Sequence, residues 1–443
     1  MLSILKYLQG FKLKLKNRVK QAKRTSIIIT LALIGIIILF LSLFTNSRIL
    51  KVSAQDLMKE IKAQKVETTP LSKEFIQATA DFSLELFKQA YTKGENSLVS
   101  PTSVYLALGM TANGADGNTL KEFQSLLGKS TLNLKDLNTY YNSVSKGLSN
   151  VNSGKLSLAN SIWYGEDRNI QVKDAFLQIN ADYYHAAVYK ASFNQPQTVT
   201  DINNWVKFKT NNTIDKIIDK IDQNTIMYLI DAVYFQDKWK TAYKNSDVRK
   251  DNFQLVTGAT LPADFMYSKE EGYLTDGSAQ GFIKPYKNGK YSFVALLPNE
   301  GIDIDSYISS LSGEDFIQIL KNKSSDSVTA GIRKFKSEYS VHLIAPLIKM
   351  GLKECFDKSK ADFTKMAICS PGDIYVGDVL HKTFIAVDTE GTKAGAIINF
   401  DMGAKSVSIS PDRTVILNRP FIYAIIDNET NLPLFIGSII KPE

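Results

Sequence analysis

Residues able to move protons or attack carbonyls are sparse in this 443-residue chain. There are three histidines, His185, His342 and His381, and two cysteines, Cys355 and Cys369. An imidazole is the usual general base near neutral pH. None of the three is accompanied by a GxSxG elbow, an HExxH helix, a phosphate-loop glycine pattern or a CxxC pair. His185 follows two tyrosines on a helical stretch and reads as packing or surface. A Ser-His-Asp triad gathered from distant residues is the one remaining route to nucleophilic catalysis, and no spacing selects it. No Cys/His pattern suits zinc. The reading is not an enzyme, with no metal and no cofactor.

A different chemistry is written between His381 and Asp427. The segment opens as a strand, HKTFIAVD, and closes as another, PFIYAIID, from Pro420. Between them lies EGTKAGAIINFDMGAKSVSISPDRTVILNR, far longer than an ordinary connection. From Thr392 every second residue is small or apolar: Ala394, Ala396, Ile398, Phe400, Met402 and Ala404. That period of two belongs to a half-buried strand. The segment therefore has the length of a loop and the pattern of a strand, and an extra strand in an ordinary antiparallel sheet is the plain alternative.

The elements that must position this segment alternate less regularly. An amphipathic helix runs from Lys73 to Tyr91, and a second begins at Pro101 with Ser100 at its cap and closes at Gly114. DGNTLKEFQSLLG makes a third, stopping at Gly128. Further helices are expected at Leu134–Leu148, Lys173–Tyr184, Val199–Thr210 and near Leu343–Met350, with two short ones before a strand through Lys334–Phe335. Strands are expected in KLSLANSIWYG, at Ala187–Ala191 and across Asn252–Leu297. Thr225–Trp239 is apolar on both faces and should be central in its sheet. Helices gather early and strands late, which predicts an α+β fold with helices on a large mixed sheet.

HKTFIAVDTEGTKAGA resembles the hinge of the serpin family, and NRPFIYAIIDNETNLPLFIGSIIKP resembles its C-terminal signature. NSLVSPTSVYLALGMTANGADGNT, LANSIWY, INNWVKFKTNNTID, DAVYFQDKW, FIKPYKNGKYSFVALLP and KFKSEYSVHL resemble further family segments, in family order, over about Lys73 to Pro442. The resemblance implies the serpin fold, with about nine helices, three β-sheets and an exposed reactive-centre loop. It also implies a suicide substrate. A protease cleaves the loop, is held as an acyl-enzyme ester, and is carried away as the loop enters the sheet as a new strand.

The loop's composition suits that fate. Each ladder hydrogen bond gained is worth ~0.5–1.5 kcal/mol net, and Ile398, Phe400 and Met402 add ~1.5–3 kcal/mol each when covered. By resemblance the hinge is Thr389, Glu390, Gly391, Thr392, Ala394 and Ala396. Gly391 is free to adopt unusual backbone angles, and the small residues can slide between strands. Thr389 departs from the family's glutamate, and Ile397 and Ile398 are bulkier than the usual alanine and threonine. Counting forward from Gly391 by the family's spacing gives a reactive bond at Lys405-Ser406, suited to a trypsin-like pocket. Counting back from Pro420 gives Ile409-Ser410 instead. Ser100, Ser103 and His381 match the family's shutter beneath the central strands, with Asp231 in place of its asparagine. A buried carboxylate is costly unless paired, so Asp231 should meet His381. Trp239 matches the tryptophan at the breach, where the loop enters.

The net charge of +8 does not indicate nucleic acid, because residues 1–54 hold ten Lys/Arg and no Asp/Glu, leaving 43 basic against 45 acidic residues elsewhere. Eight of those ten fall in residues 1–24, which read as a basic cytoplasmic segment. Residues 25–47 are uncharged, long enough to cross ~30 Å of hydrocarbon, with the flanking charges placing the C-terminal remainder of the chain outside. Residues 48–72 then read as a tether and 73–443 as the serpin domain. A signal peptide cleaved near Ala54 is the alternative, giving a secreted form. The expected molecule is a monomer at the cell membrane, its serpin domain extracellular, with a target serine protease as covalent partner and cysteine proteases as a second target class. Cys355 and Cys369 are left open between a disulfide and free thiols. Asn211, Asn322 and Asn428 lie in glycosylation patterns.

Overall fold

Met227–Lys238, the stretch without a wet face, is the fourth strand of a seven-stranded sheet, where both faces are covered. The computed structural model describes residues 52–149, 155–166, 170–222, 225–369, 372–392 and 412–442. The basic segment, the apolar span, Ala394, Ala396, Lys405, Ser406 and the alternative bond Ile409-Ser410 lie outside the described residues.

In chain order the helices are α1 (Lys73–Ala90), α2 (Pro101–Ala112), α3 (Gly117–Gly128), α4 (Leu134–Ser149), α5 (Asp174–Tyr184), α6 (Pro196–Lys209), α7 (Ile304–Ser310), α8 (Gly313–Lys321) and α9 (Ile344–Lys349). The strands are β1 (Gln55–Asp56), β2 (Ser97–Val99), β3 (Lys155–Gly165), β4 (Gln171–Val172), β5 (Ala187–Ala191), β6 (Met227–Lys238), β7 (Val248–Gln254), β8 (Thr260–Thr275) and β9 (Ala279–Pro285). They continue as β10 (Tyr291–Pro298), β11 (Ser324–Arg333), β12 (Phe335–His342), β13 (Ala367–Ile368), β14 (Val376–Val387), β15 (Gly391–Thr392), β16 (Asp412–Ile416), β17 (Phe421–Asp427) and β18 (Pro433–Ile439).

Among the described residues these make three sheets. The first has the order β1-β5-β3-β6-β15-β14-β12, with β6 also pairing β14 directly. The second runs β16-β11-β8-β9-β10-β17-β18-β2, with β7 on β8, and β13-β4 is the third. The fold is α+β, as the early helices and late strands predict. Strand β8 keeps β11 along one edge, while its other edge pairs with β7 over Thr260–Met266 and then with β9 from Tyr273, and Gly272 with φ +101° lies between those two stretches.

One core lies between the two large sheets. Val233, Phe235, Trp239, Ile385 and Val387 meet Phe293, Ala295, Tyr423 and Phe435 there. On the other face of the first sheet, Ile202, Trp205 and Val206 of α6 pack on Trp163, Tyr228 and Ile230. Helix α2 is buried along its whole length. Ser100 holds the expected N-cap position, but its side chain does not cap: its Oγ donates to the Leu434 carbonyl at 2.7 Å, and only its carbonyl serves the helix.

Residues 52–72 differ from a free tether. Val52 onward belongs to one unit with the rest of the domain. The Ser53 and Ala54 N–H groups donate to Asp201 Oδ2 at 2.9 and 3.0 Å, and β1 pairs antiparallel with β5. Further on, Leu57, Met58, Ile61 and Leu71 pack on the core around α1 and α2. Apolar residues at these positions explain the docking, which the charge of the segment had masked. Both cysteines are free thiols, Cys355 buried and Cys369 partly so. The long segment after β15 includes a strand the alternating pattern did not separate out, β16, paired parallel to β11. Among the described residues no helix is long and apolar enough to cross a membrane.

Candidate functional site

The site is the upper end of the slot between β6 and β14. Over most of their length the two strands pair parallel to each other, from Val376↔Met227 to Phe384↔Tyr234. Above that the chain leaves β14 at Val387, turns through Asp388-Thr389-Glu390 and comes back between them as β15. Gly391 pairs with Lys238, and Thr392 pairs with Asp237 on one side and Val387 on the other, all antiparallel. The hinge has already reversed direction and entered the sheet.

Asp388 makes the reversal. Its carboxylate accepts from the N–H groups of Glu390 and Gly391 at 2.8 and 3.1 Å, while its own N–H donates to the Gly391 carbonyl at 2.9 Å. This is an Asx-supported turn of the kind aspartate favours. Trp239 holds it from the side, donating from Nε1 to the Asp388 carbonyl at 2.8 Å and from its backbone N–H to the Glu390 carbonyl at 2.9 Å. Thr389 contributes its carbonyl, which accepts from the Tyr243 N–H at 2.9 Å. Gly391 is not among the residues of left-handed backbone. Its need for glycine is spatial, since a Cβ there would stand 2.1 Å from the Asp237 carbonyl oxygen.

Thr392 is fully buried and shares a 2.6 Å hydrogen bond with the Tyr286 hydroxyl. The Tyr286 ring stacks on Trp239, centroids 4.7 Å apart at 12°. Beneath them Lys284, 1% exposed, pairs with Glu270 at 2.5 Å and lies 4.3 Å from the Tyr243 ring centroid. Burial pushes the Lys284 ammonium below its usual range while the glutamate pulls it back. Asp237, opposite Thr392, is buried, and its carboxyl is pushed up to about 6 by loss of water. One oxygen accepts from the Lys238 N–H at 2.8 Å, and Oδ2 has no partner among the described residues.

Lower in the slot, Asp231 Oδ2 and His381 Nδ1 are 2.8 Å apart, directly paired across β6 and β14 and wholly buried. The Ser103 hydroxyl donates to Asp231 Oδ1, and the Ser100 N–H donates to His381 Nε2 at 3.0 Å. A lone pair on Nε2 leaves the proton on Nδ1, aimed at the carboxylate. The cluster contains serine, histidine and aspartate but cannot act as a nucleophilic triad. The serine hydroxyl serves the carboxylate instead of the imidazole, and nothing reaches it from solvent. His185 is exposed at the end of α5, and His342 is an exposed partner of Asp378 at 2.8 Å.

Two groups of expected residues thus come together, Thr389–Thr392 with Trp239 and Ser100, Ser103, Asp231 with His381. Sequence reasoning missed Asp388, Tyr243, Tyr286, Glu270, Lys284 and Asp237. Only Asp237 carried a signal: in DAVYFQDKW it shares the inward parity of Asp231, Val233 and Phe235, so a second carboxylate had to face the core.

Known proteins share this architecture. The family described as serpin (serine protease inhibitor) matches residues 77–442. The native-state crystal structure of tengpin, a thermophilic serpin, is 47% identical with a TM-score of 0.83, covering 88% of this chain and all of that one. The latent state of tengpin gives 0.74 at 46% identity, over 85% of this chain and all of that one. Human neuroserpin is 28% identical over 386 residues, 83% of this chain and 92% of its own length.

Proposed function

The chain belongs to the serpin (serine protease inhibitor) family, and from that membership we propose that it traps trypsin-like serine proteases outside the cell while tethered to the membrane. The family is one of protease inhibitors, not of enzymes. In the proposed reaction the protease serine oxygen attacks the Lys405 carbonyl. The Lys405–Ser406 amide breaks, the new amine leaves with a proton from the protease, and Lys405 stays behind as an ester. Insertion of the freed strand then removes the ester from the water that would hydrolyse it.

The observation that carries this reading is β15. It is antiparallel to both neighbours, whereas β6 and β14 below it are parallel. Continued entry exchanges one parallel ladder for two antiparallel ones, the more stable pairing. Stepping the register of Gly391 and Thr392 down β6 brings Met402 opposite Met227 at the strand's far end. Lys405 would then be delivered past the end of the sheet opposite to its entry.

Lysine at 405 supports a trypsin-like target. The charge-free span at 25–47 with basic residues before it supports the tether, and the grip of Asp201 on Ser53 and Ala54 supports retention of the segment cut in the secreted alternative. One projection favours a second reading, a non-inhibitory binding module: Ile398 lands opposite Asp231, where its bulk would slow entry. Incubation with trypsin and subtilisin separates the two. An SDS-stable adduct, with a released fragment beginning at Ser406, supports the trap. Clean cleavage without adduct overturns it, and a fragment beginning at Ser410 moves the bond.

A further inference from the structure

The Asn-x-Ser/Thr pattern occurs at Asn211, Asn322 and Asn428, and the fold treats the three differently. Asn428 is tied down. Its Nδ2 donates to the Gly289 carbonyl at 2.9 Å, its N–H donates to the Lys290 carbonyl at 2.8 Å, and the Thr430 hydroxyl donates to Asp427 at 3.2 Å. Asn322 ends α8, but Ser324 already opens β11, its Oγ accepting from the Asp326 N–H at 3.3 Å. Only at Asn211 are both partners of the pattern unengaged. Asn211 is exposed beyond the end of α6, and neither its amide nor the Thr213 hydroxyl makes a hydrogen bond among the described residues.

The turn itself follows from the end of α6. The Thr210 N–H and hydroxyl both donate to the Val206 carbonyl at 2.8 Å. Asn211 and Asn212 then take left-handed backbone, φ 53° and 61°, and their N–H groups donate to the Phe208 and Lys207 carbonyls at 3.2 and 2.8 Å. Asparagine suits such a helix end, so the turn accounts for Asn211 without any modification. It does not account for Phe208. That ring is 64% exposed, the one exposed aromatic side chain among the described residues. A single exposed apolar residue is ordinary. One that precedes an open acceptor asparagine by three positions, with its carbonyl holding the asparagine N–H, offers a surface to whatever is attached there.

We propose that Asn211 carries an N-linked saccharide whose first sugar lies over Phe208. The Asn211 amide nitrogen attacks C1 of a sugar held on a lipid-linked pyrophosphate. The C–N bond forms, the C–O bond to phosphate breaks, the pyrophosphate leaves, and the amide gives up one proton. The C–H face of the sugar then covers the Phe208 ring and takes apolar surface out of water. The transfer takes place only on an exported chain, so the inference rests on the extracellular placement proposed above.

The test is peptide mass spectrometry of the full chain made in insect cells. Biotinylation of intact cells with a membrane-impermeant reagent, together with recovery from the medium, reports export separately. Occupancy is expected at Asn211, with Asn322 and Asn428 bare or much less occupied. Thr213→Ala removes the pattern and keeps the helix end, so the glycosylated chain should melt above this variant. In a Phe208→Ala background that gap should close. An exported chain with Asn211 bare, or with Asn322 or Asn428 equally occupied, overturns the proposal, as does a gap that survives Phe208→Ala. A chain that is not exported overturns it together with the extracellular reading.

Discussion

Asp231 and His381 hold β6 and β14 together at the level where an incoming strand has to pass, with Oδ2 2.8 Å from Nδ1 and both side chains fully buried. Insertion must separate them, because the new strand takes the place of each as the other's neighbour. In the projected register Ile398 is the residue that arrives between them, and it offers no hydrogen bond to either.

Asp231→Asn is therefore expected to act oppositely in the two forms. In the uncleaved protein it removes a charge-assisted bond and should cost about 1.5–3 kcal/mol. In the cleaved form it removes a carboxylate left beside Ile398 and should be neutral or stabilising. Thermal unfolding of both forms measures this, and equal losses in both would refute the separation. Ile398→Thr should restore a partner and raise the fraction of protease trapped per loop cleaved.

Thr392→Glu should disable trapping without disturbing the domain. Thr392 is wholly buried against Tyr286, and a carboxylate there loses its water at a cost of several kcal/mol. The variant should be cut at the loop as fast as the parent while yielding no SDS-stable adduct with trypsin. Undiminished adduct would show that β15 is not the entry point.

Asp237 makes the entry point sensitive to pH. Its folded-state value of about 6 lies above the ordinary 3.8, so the folded chain favours the protonated form. That contribution is fully present below about pH 3.8 and is lost as pH rises through about 6. Asp237→Asn should flatten the loss, with a melting advantage over the parent at pH 7.5 that shrinks at pH 4.5. An advantage independent of pH would exclude Asp237 as the titrating group.

Glu270 is predicted to matter through the charge its removal strands. Glu270→Ala leaves the Lys284 ammonium, 1% exposed, alone under Trp239 and Tyr243, and should cost about 3–5 kcal/mol. Adding Lys284→Met removes the orphan charge and should recover most of that loss in chemical denaturation.

The architecture was largely legible because its signals are periodic. The apolar run of β6, the amphipathic face of α1 and the alternation of Thr383, Ile385 and Val387 within β14 each specify an element from local pattern alone. The meeting of Asp231 with His381 was legible for a different reason: a carboxylate on a doubly buried strand requires a partner. Trp239 and Thr392 were found by resemblance, but the turn that joins them was not, since Asp388 reads as any aspartate after a strand. Lys284 and Glu270 lie fourteen residues apart on neighbouring strands, and no local pattern pairs them. Residues 52–72 read as a tether because six charged residues are scattered among their apolar ones without helical or strand periodicity, whereas Leu57, Met58, Ile61 and Leu71 pack on the core.

Trapping requires a native molecule that keeps a strand out of the sheet it would complete. Thermal unfolding before and after a single nick at Lys405-Ser406 tests this most directly. The nicked protein is predicted to melt far higher than the intact one, as the freed segment fills the slot below Thr392. A melting temperature unchanged or lowered by the nick would contradict it.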